Sequence, residues 1–263
     1  MGEVIVFTSG KGGVGKTTSA ANIGAAMALI GKRVVIIDMD LGLRKLDISL
    51  GIADRMVYDI VDVICERAPL RQALIHDKRF YELYILGASQ TSGKDVINPG
   101  QMKKLCERLK TEFDYVIIDC PAGMESGFVN SVCAADRAVI VIVPEPASVR
   151  DADRVASLLD QYGVRNMKLL LNRVRIDLIE RGDMMAIDDV VNTVSIPLIG
   201  IIPEDDAVIA AVNRAKPVVM MNGSKAALCF KNTAKRICGY KIPLAKLKAD
   251  GVFTRVIKAI KNK

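Results

Sequence analysis

The chain has 263 residues, half of them hydrophobic and a quarter charged, which gives material for a sizeable core and argues against disorder. It has no tryptophan and one histidine, His76, and its six cysteines (65, 106, 120, 133, 229, 238) form no C-x-x-C pair. Multi-histidine metal sites, zinc ribbons and iron–sulfur scaffolds are thereby disfavoured, and reduced thiols are expected. The net charge of +7 is uneven: residues 231–263 carry ten Lys or Arg against one acid, so the body is near neutral and the tail is basic.

The chain opens on VIVF (4–7), too short for the apolar core of a secretory signal. Val6 stands where a myristoylation signal wants Ser or Thr, and no later run approaches a membrane span in length. A soluble, cytoplasmic protein is predicted. Short apolar runs follow as VVIID (34–38), LYILGA (83–88), YVIID (115–119), AVIVIV (138–143), LLLNRV (169–174) and LIGIIP (198–203). They are continuously apolar, not alternating, as expected of parallel strands buried on both faces. Segments with helical period lie between them at 17–30, 101–110, 149–162 and 208–214. This alternation predicts an α/β fold over residues 1–240: a doubly wound, mostly parallel sheet with helices on both faces. Ligands of such sheets bind beyond the carboxyl ends of the strands, where the loop after the first run, Asp38, Asp40 and Asp119 all fall.

The first run leads into SGKGGVGKTT (9–18), which satisfies G-x-x-x-x-G-K-[ST], the phosphate loop. Gly10, Gly12, Gly13 and Gly15, with Val14 among them, let backbone N–H groups converge on phosphate oxygens. Lys16 supplies charge to the β- and γ-phosphates, and the Thr17 hydroxyl can ligate Mg²⁺. A helix starting near Thr17 and Thr18 adds its positive dipole end. Gly10, Gly12 and Gly15 also read as G-x-G-x-x-G with Asp38 following, the dinucleotide pattern. That pattern alone is weak, whereas Lys16-Thr17 serves only phosphate plus metal. Asp119, ending an apolar run, supplies a metal partner of Walker B type. A nucleoside triphosphatase is the stronger reading. Lys11 has no task within its own loop.

GKGGVGKTT resembles the deviant Walker A motif, xKGGxxK[TS], of the ParA/MinD family of P-loop ATPases. Other stretches resemble the septum-placement branch of that family: IDMDLGLRKLDISLG (37–51) its switch I, and IIDCPAGMESG (117–127) its switch II. SVRDADR (148–154) is similar to its interface segment, GIIPED (200–205) to its adenine-side loop, and ILGASQT and ERGDM match as well. Lys45 departs from the Asn expected in LRNLD. The resemblance implies a Mg²⁺-dependent ATPase that binds ATP or ADP and forms a homodimer on ATP. Lys11 would reach the partner's phosphates in the manner of an arginine finger. The implied catalytic residues are Lys11, Lys16 and Asp40, the last orienting the attacking water. Thr17, Asp38 and Asp119 would serve the metal, and Asn172, Arg173, Pro203, Glu204 and Asp205 the adenine side. The implied partners are a division inhibitor, an ATPase-activating topological factor and an anionic membrane on the inner face of the cell. Nucleic acid is not the expected partner. A DNA-partition ATPase, or a relative that positions flagella or polar machinery, is the alternative.

Residues 241–250 read as a basic connector and 251–263, GVFTRVIKAIKNK, as an amphipathic helix. At 100° per residue Val252, Phe253, Val256, Ile257 and Ile260 fall in one arc of about 140°, opposite Thr254, Arg255, Lys258 and Lys261. An apolar arc containing Phe, backed by Lys and Arg, suits an interfacial membrane anchor, and the family resemblance implies the same.

Overall fold

Each of the seven apolar runs becomes a strand with both faces buried in the computed structural model, which describes residues 1–41, 45–89, 96–124, 126–246 and 254–255. The chain runs β1 (Glu3–Thr8), α1 (Lys16–Leu29), β2 (Val34–Asp38), α2 (Lys45–Leu50), α3 (Ile60–Ile64), α4 (Leu70–Ala73), β3 (Ile75–His76) and β4 (Leu83–Leu86). It continues with α5 (Pro99–Glu112), β5 (Tyr115–Asp119), α6 (Ser126–Val132), β6 (Arg137–Ile142) and α7 (Pro146–Gln161). Then come β7 (Met167–Val174), α8 (Ile176–Arg181), α9 (Ile187–Val194), β8 (Leu198–Pro203), α10 (Asp206–Asn213) and α11 (Lys225–Ile237).

The strands form one eight-stranded sheet in the order β3-β4-β2-β5-β1-β6-β7-β8, parallel except for β3 at the edge. Alternate residues of one strand feed two cores. Val4 and Val6 face α5, α6, α7 and α9 on one side, while Ile5 and Phe7 face α1, α2 and α11 on the other. Both cores are mainly aliphatic, with Phe113 and Phe128 in the first and Phe7, Phe80 and Phe230 in the second.

The four expected helices are present with ends shifted by one to three residues. The antiparallel β3 was not anticipated, because two residues carry no period. The same holds for α2, α3 and α4, which are six residues or fewer. The 13-residue α11, which buries Ala226, Ala227, Cys229, Thr233 and Ala234 beside Phe230 and Ile237, is a further helix not among the expected four. Its end is tied down by Arg236, which donates to the Ile199 carbonyl at the start of β8. The same guanidinium donates to the carbonyls of Ile242 at 2.9 Å and Pro243 at 3.3 Å. The root of the basic connector is thus fixed at the amino end of the sheet.

Within the expected terminal helix, Thr254 and Arg255 pair as a two-residue antiparallel strand with Lys246 and Ala245. Its apolar residues Val252, Phe253, Val256, Ile257 and Ile260 lie outside the described residues. A short amphipathic helix has little stability in water without a surface to cover its apolar face. Among the described residues no helix is long and apolar enough to cross a membrane.

Candidate nucleotide site

β1 ends at Thr8, and the chain turns through the glycine loop into α1, whose first residue is Lys16. Gly15 caps that helix in the left-handed region (φ 96°), and a Cβ there would lie 2.2 Å from Asn172 Nδ2. Both facts require glycine. At the other end of the loop, a Cβ on Gly10 would come within 2.5 Å of the Asp151 Cβ on α7. The loop is held between β7 and α7. Asn172, buried at the end of β7, secures it by donating Nδ2 to the Val14 carbonyl at 2.8 Å.

The two lysines of the loop have opposite environments. Lys16 is only 7 % exposed, and its Nζ donates to Ser9 Oγ at 3.0 Å. Ser9 in turn donates to the Lys11 carbonyl at 2.7 Å. A buried ammonium at a helix amino end, ringed by loop amides, is a concentrated positive site suited to phosphate. Lys11 Nζ instead lies 3.3 Å from Glu145 Oε2, with both side chains about half exposed. Glu145 stands at the N-cap of α7 but makes no capping bond there. An exposed pair of this kind contributes only ~0–1 kcal/mol.

β2 and β5 place Asp38 and Asp119 side by side in register at their carboxyl ends. Asp38 accepts from the Asp40 N–H at 2.9 Å and from the Leu46 N–H at 3.3 Å. Both Asp119 oxygens are buried with no hydrogen-bond partner among the described residues. Burial pushes both carboxyls well above the usual range. Asp38 adds to the shift at Asp119, while Thr17 and Lys16 oppose it. Two adjoining buried carboxyls, with the Thr17 hydroxyl beside Asp119, form a hard-oxygen set that fits Mg²⁺. Asp40 is partly exposed just beyond them.

The expected adenine-side residues lie at the carboxyl ends of β7 and β8, where Val174 pairs with Pro203 and the Glu204 N–H donates to the Val174 carbonyl at 3.1 Å. Arg173 Nε is 4.0 Å from Glu204 Oε2. Asp205 is committed elsewhere. It caps α10 through the Ala207 N–H at 2.9 Å and accepts from Ser224 Oγ at 2.8 Å and the Ala226 N–H at 3.0 Å, joining the starts of α10 and α11. Burial alone would raise its pKa, but these donors hold the carboxyl below its usual value.

Gly10 to Thr18, Asp38, Asp40, Asp119 and Asn172 are thus brought to one end of the sheet, with Arg173 and Pro203 to Asp205 beside them on the neighbouring strand ends. Ser9, Glu145 and Asp151 belong to the same site and are absent from the sequence-based set. Ser9 was adjacent to the motif, and Asp151 lies within SVRDADR, the stretch similar to the family's interface segment; Glu145 carries no local pattern, because only the placement of α7 brings it to the loop.

Residues 5–218 match the model of the CobQ/CobB/MinD/ParA nucleotide binding domain family. The chain is 50 % identical over 246 residues to the septum site-determining protein MinD of Bacillus subtilis, covering 93 % of this chain and 92 % of that one. Its fold is similar to MinD in the MinC:MinD cell division protein complex of Aquifex aeolicus, with a TM-score of 0.87, 45 % identity, and 93 % and 98 % of the two chains covered. It is also similar to the septum site-determining protein MinD complexed with Mg-ADP from Pyrococcus horikoshii, with a TM-score of 0.82, 28 % identity, and 90 % and 96 % covered. A phosphate loop with a second lysine, paired acids in register and this degree of likeness together place the chain in the MinD family of septum site-determining, nucleotide-binding P-loop proteins.

Proposed function

We propose that the chain is a Mg²⁺-dependent ATPase used as a membrane switch in septum placement. ATP joins two copies through Lys11, the dimer stays on the anionic inner face of the cell membrane by its basic tails, and there it recruits a division inhibitor. Hydrolysis, stimulated by a second partner, releases it. The observation that carries this reading is the contrast between the lysines. Lys16 is buried among the groups that would hold its own phosphates, whereas Lys11 is half exposed on a weak ion pair with Glu145. A cation so lightly held is readily given up to the phosphates of a facing copy.

The loop amides and Lys16 bind the β- and γ-phosphates. Thr17, Asp38 and Asp119 would hold Mg²⁺, which when bound would supply positive charge against that developing on the phosphoryl oxygens. Asp40 orients the attacking water. The site has no histidine, which suits a reaction driven by positioning and charge. The MinC:MinD complex supports a division inhibitor as partner.

ATPase rate measured against protein concentration, with and without anionic vesicles, tests the reading. Wild type should show a specific rate that rises with concentration and with vesicles, while Lys11→Ala should lose that rise and keep ADP binding. A specific rate independent of concentration in both proteins would refute the dimer. Vesicle binding equally strong in ADP and ATP would refute the switch.

A further inference from the structure

Arg79 lies outside the nucleotide site, in the turn between β3 and β4. Its Nε and Nη2 donate to the two carboxylate oxygens of buried Asp77 at 2.8 and 2.6 Å. Nη1 donates to the Ala215 carbonyl at 2.8 Å, and Nη2 also reaches the Leu50 carbonyl. Leu50 ends α2, and Ala215 lies just past the end of α10. One guanidinium therefore caps the carbonyl ends of two helices, where their dipoles favour a cation. Those ends abut, since a Cβ on Gly51 would lie 2.6 Å from the Ala215 Cβ.

The opposite ends of the same helices face the two halves of the nucleotide site. α2 starts where the Leu46 N–H holds Asp38, beside Asp119. α10 starts at its cap, Asp205, directly after Glu204 on the expected adenine side. An ion pair with Asp77 alone would need only a charge. The planar fork lets one side chain bond a carboxylate and the carbonyls of two separate helices at once.

We propose that Arg79 is a positioning residue for phosphoryl transfer, locking α2 to α10 so that the Leu46 N–H keeps Asp38 in its placement against the bound nucleotide. This rests on the ATPase reading above. Misplacing reacting groups by about 1 Å can cost on the order of a hundredfold in rate. The glycine loop, which Arg79 does not touch, keeps its hold on the nucleotide.

The test compares the full chain with Arg79→Ala and Arg79→Lys at a temperature where all three are folded by circular dichroism. ATPase kcat and KM, affinity for a fluorescent ADP, and amide exchange across α2 with and without a non-hydrolysable ATP analogue are measured. Expected for Arg79→Ala is a kcat lower by about tenfold or more, with KM and ADP affinity within about threefold of wild type. Arg79→Lys recovers part of the rate at most. Protection of α2 by the analogue is expected in wild type and lost in Arg79→Ala. An unchanged kcat overturns the proposal, as does a kcat that falls in step with ADP affinity and melting temperature. Should wild type bind ATP without hydrolysing it, the ATPase reading fails. The α2 exchange then decides alone: protection that survives in Arg79→Ala, or is absent in wild type, overturns the clamp.

Discussion

Asp205 illustrates how a residue can sit beside a site and serve the scaffold. Its carboxylate accepts from Ala207, Ser224 and Ala226, so it stabilises two helix starts together. Asp205→Ala should lower unfolding free energy by about 1–2 kcal/mol at neutral pH, read by urea denaturation with and without ADP. Its folded pKa lies below the unfolded value, so the stabilisation is present above about pH 4 and lost as pH falls through the folded value. The gap between wild type and Asp205→Asn should therefore close in acid. The sequence singled out Lys16 and Thr17 by the fixed spacing of the loop, and Asp119 by its place at the end of an apolar run. Glu145 was not legible, for it reaches the loop from the start of α7, more than a hundred residues along the chain, and the close approach of Asp151 to Gly10 was not legible although Asp151 lies within SVRDADR. Asn172 was expected at adenine, yet its amide nitrogen is engaged by the loop carbonyl of Val14, a contact that no local pattern signals.

The strands were more legible than the helices. The seven buried strands announced themselves as unbroken apolar runs, since parallel strands with helices on both faces have no polar side to show. β3 and the short helices did not, and α11 was not among the expected helices although Phe230 and Ile237 join small residues on its buried face. Those small residues have a purpose at Gly200 on β8. A Cβ there would meet Thr233 Oγ1 at 2.3 Å and Leu170 Cδ1 at 2.8 Å, so α11 lies against the bare strand backbone. Gly200→Ala should destabilise the fold by about 1–3 kcal/mol through overpacking. Adding Thr233→Ala removes the crowding oxygen and should return part of the loss in a double-mutant cycle. Strictly additive losses would show that the clash is relieved elsewhere.

At the scale of the molecule, charge and function are segregated. The near-neutral body contains the nucleotide site, and most of the net charge lies in residues 231–263. Deleting residues 251–263 should leave the melting temperature and ADP affinity unchanged and abolish sedimentation with anionic vesicles. Wild-type sedimentation should weaken as salt rises, because the basic half of the tail is screened over about 10 Å at 0.1 M. Retained vesicle binding would refute the tail as the anchor, and salt-sensitive DNA binding that the deletion removes would favour the partition alternative.

The parallel sheet sets a distance with its own consequence. The phosphate loop, Asp38 and Asp119 occupy the carboxyl ends of the strands, while Arg236 anchors the root of the connector beside Ile199, near the amino end of β8. A strand of five or six residues spans about 17–20 Å. The nucleotide site and the root of the basic connector therefore lie at opposite ends of the sheet. On the dimeric switch proposed above, what would pass between those ends is a number: one tail or two. Because two weak holds made together bind far more tightly than either alone, the density of protein on the membrane should scale as the square of the ATP-bound concentration. A small local excess of that form is then sharpened into a boundary.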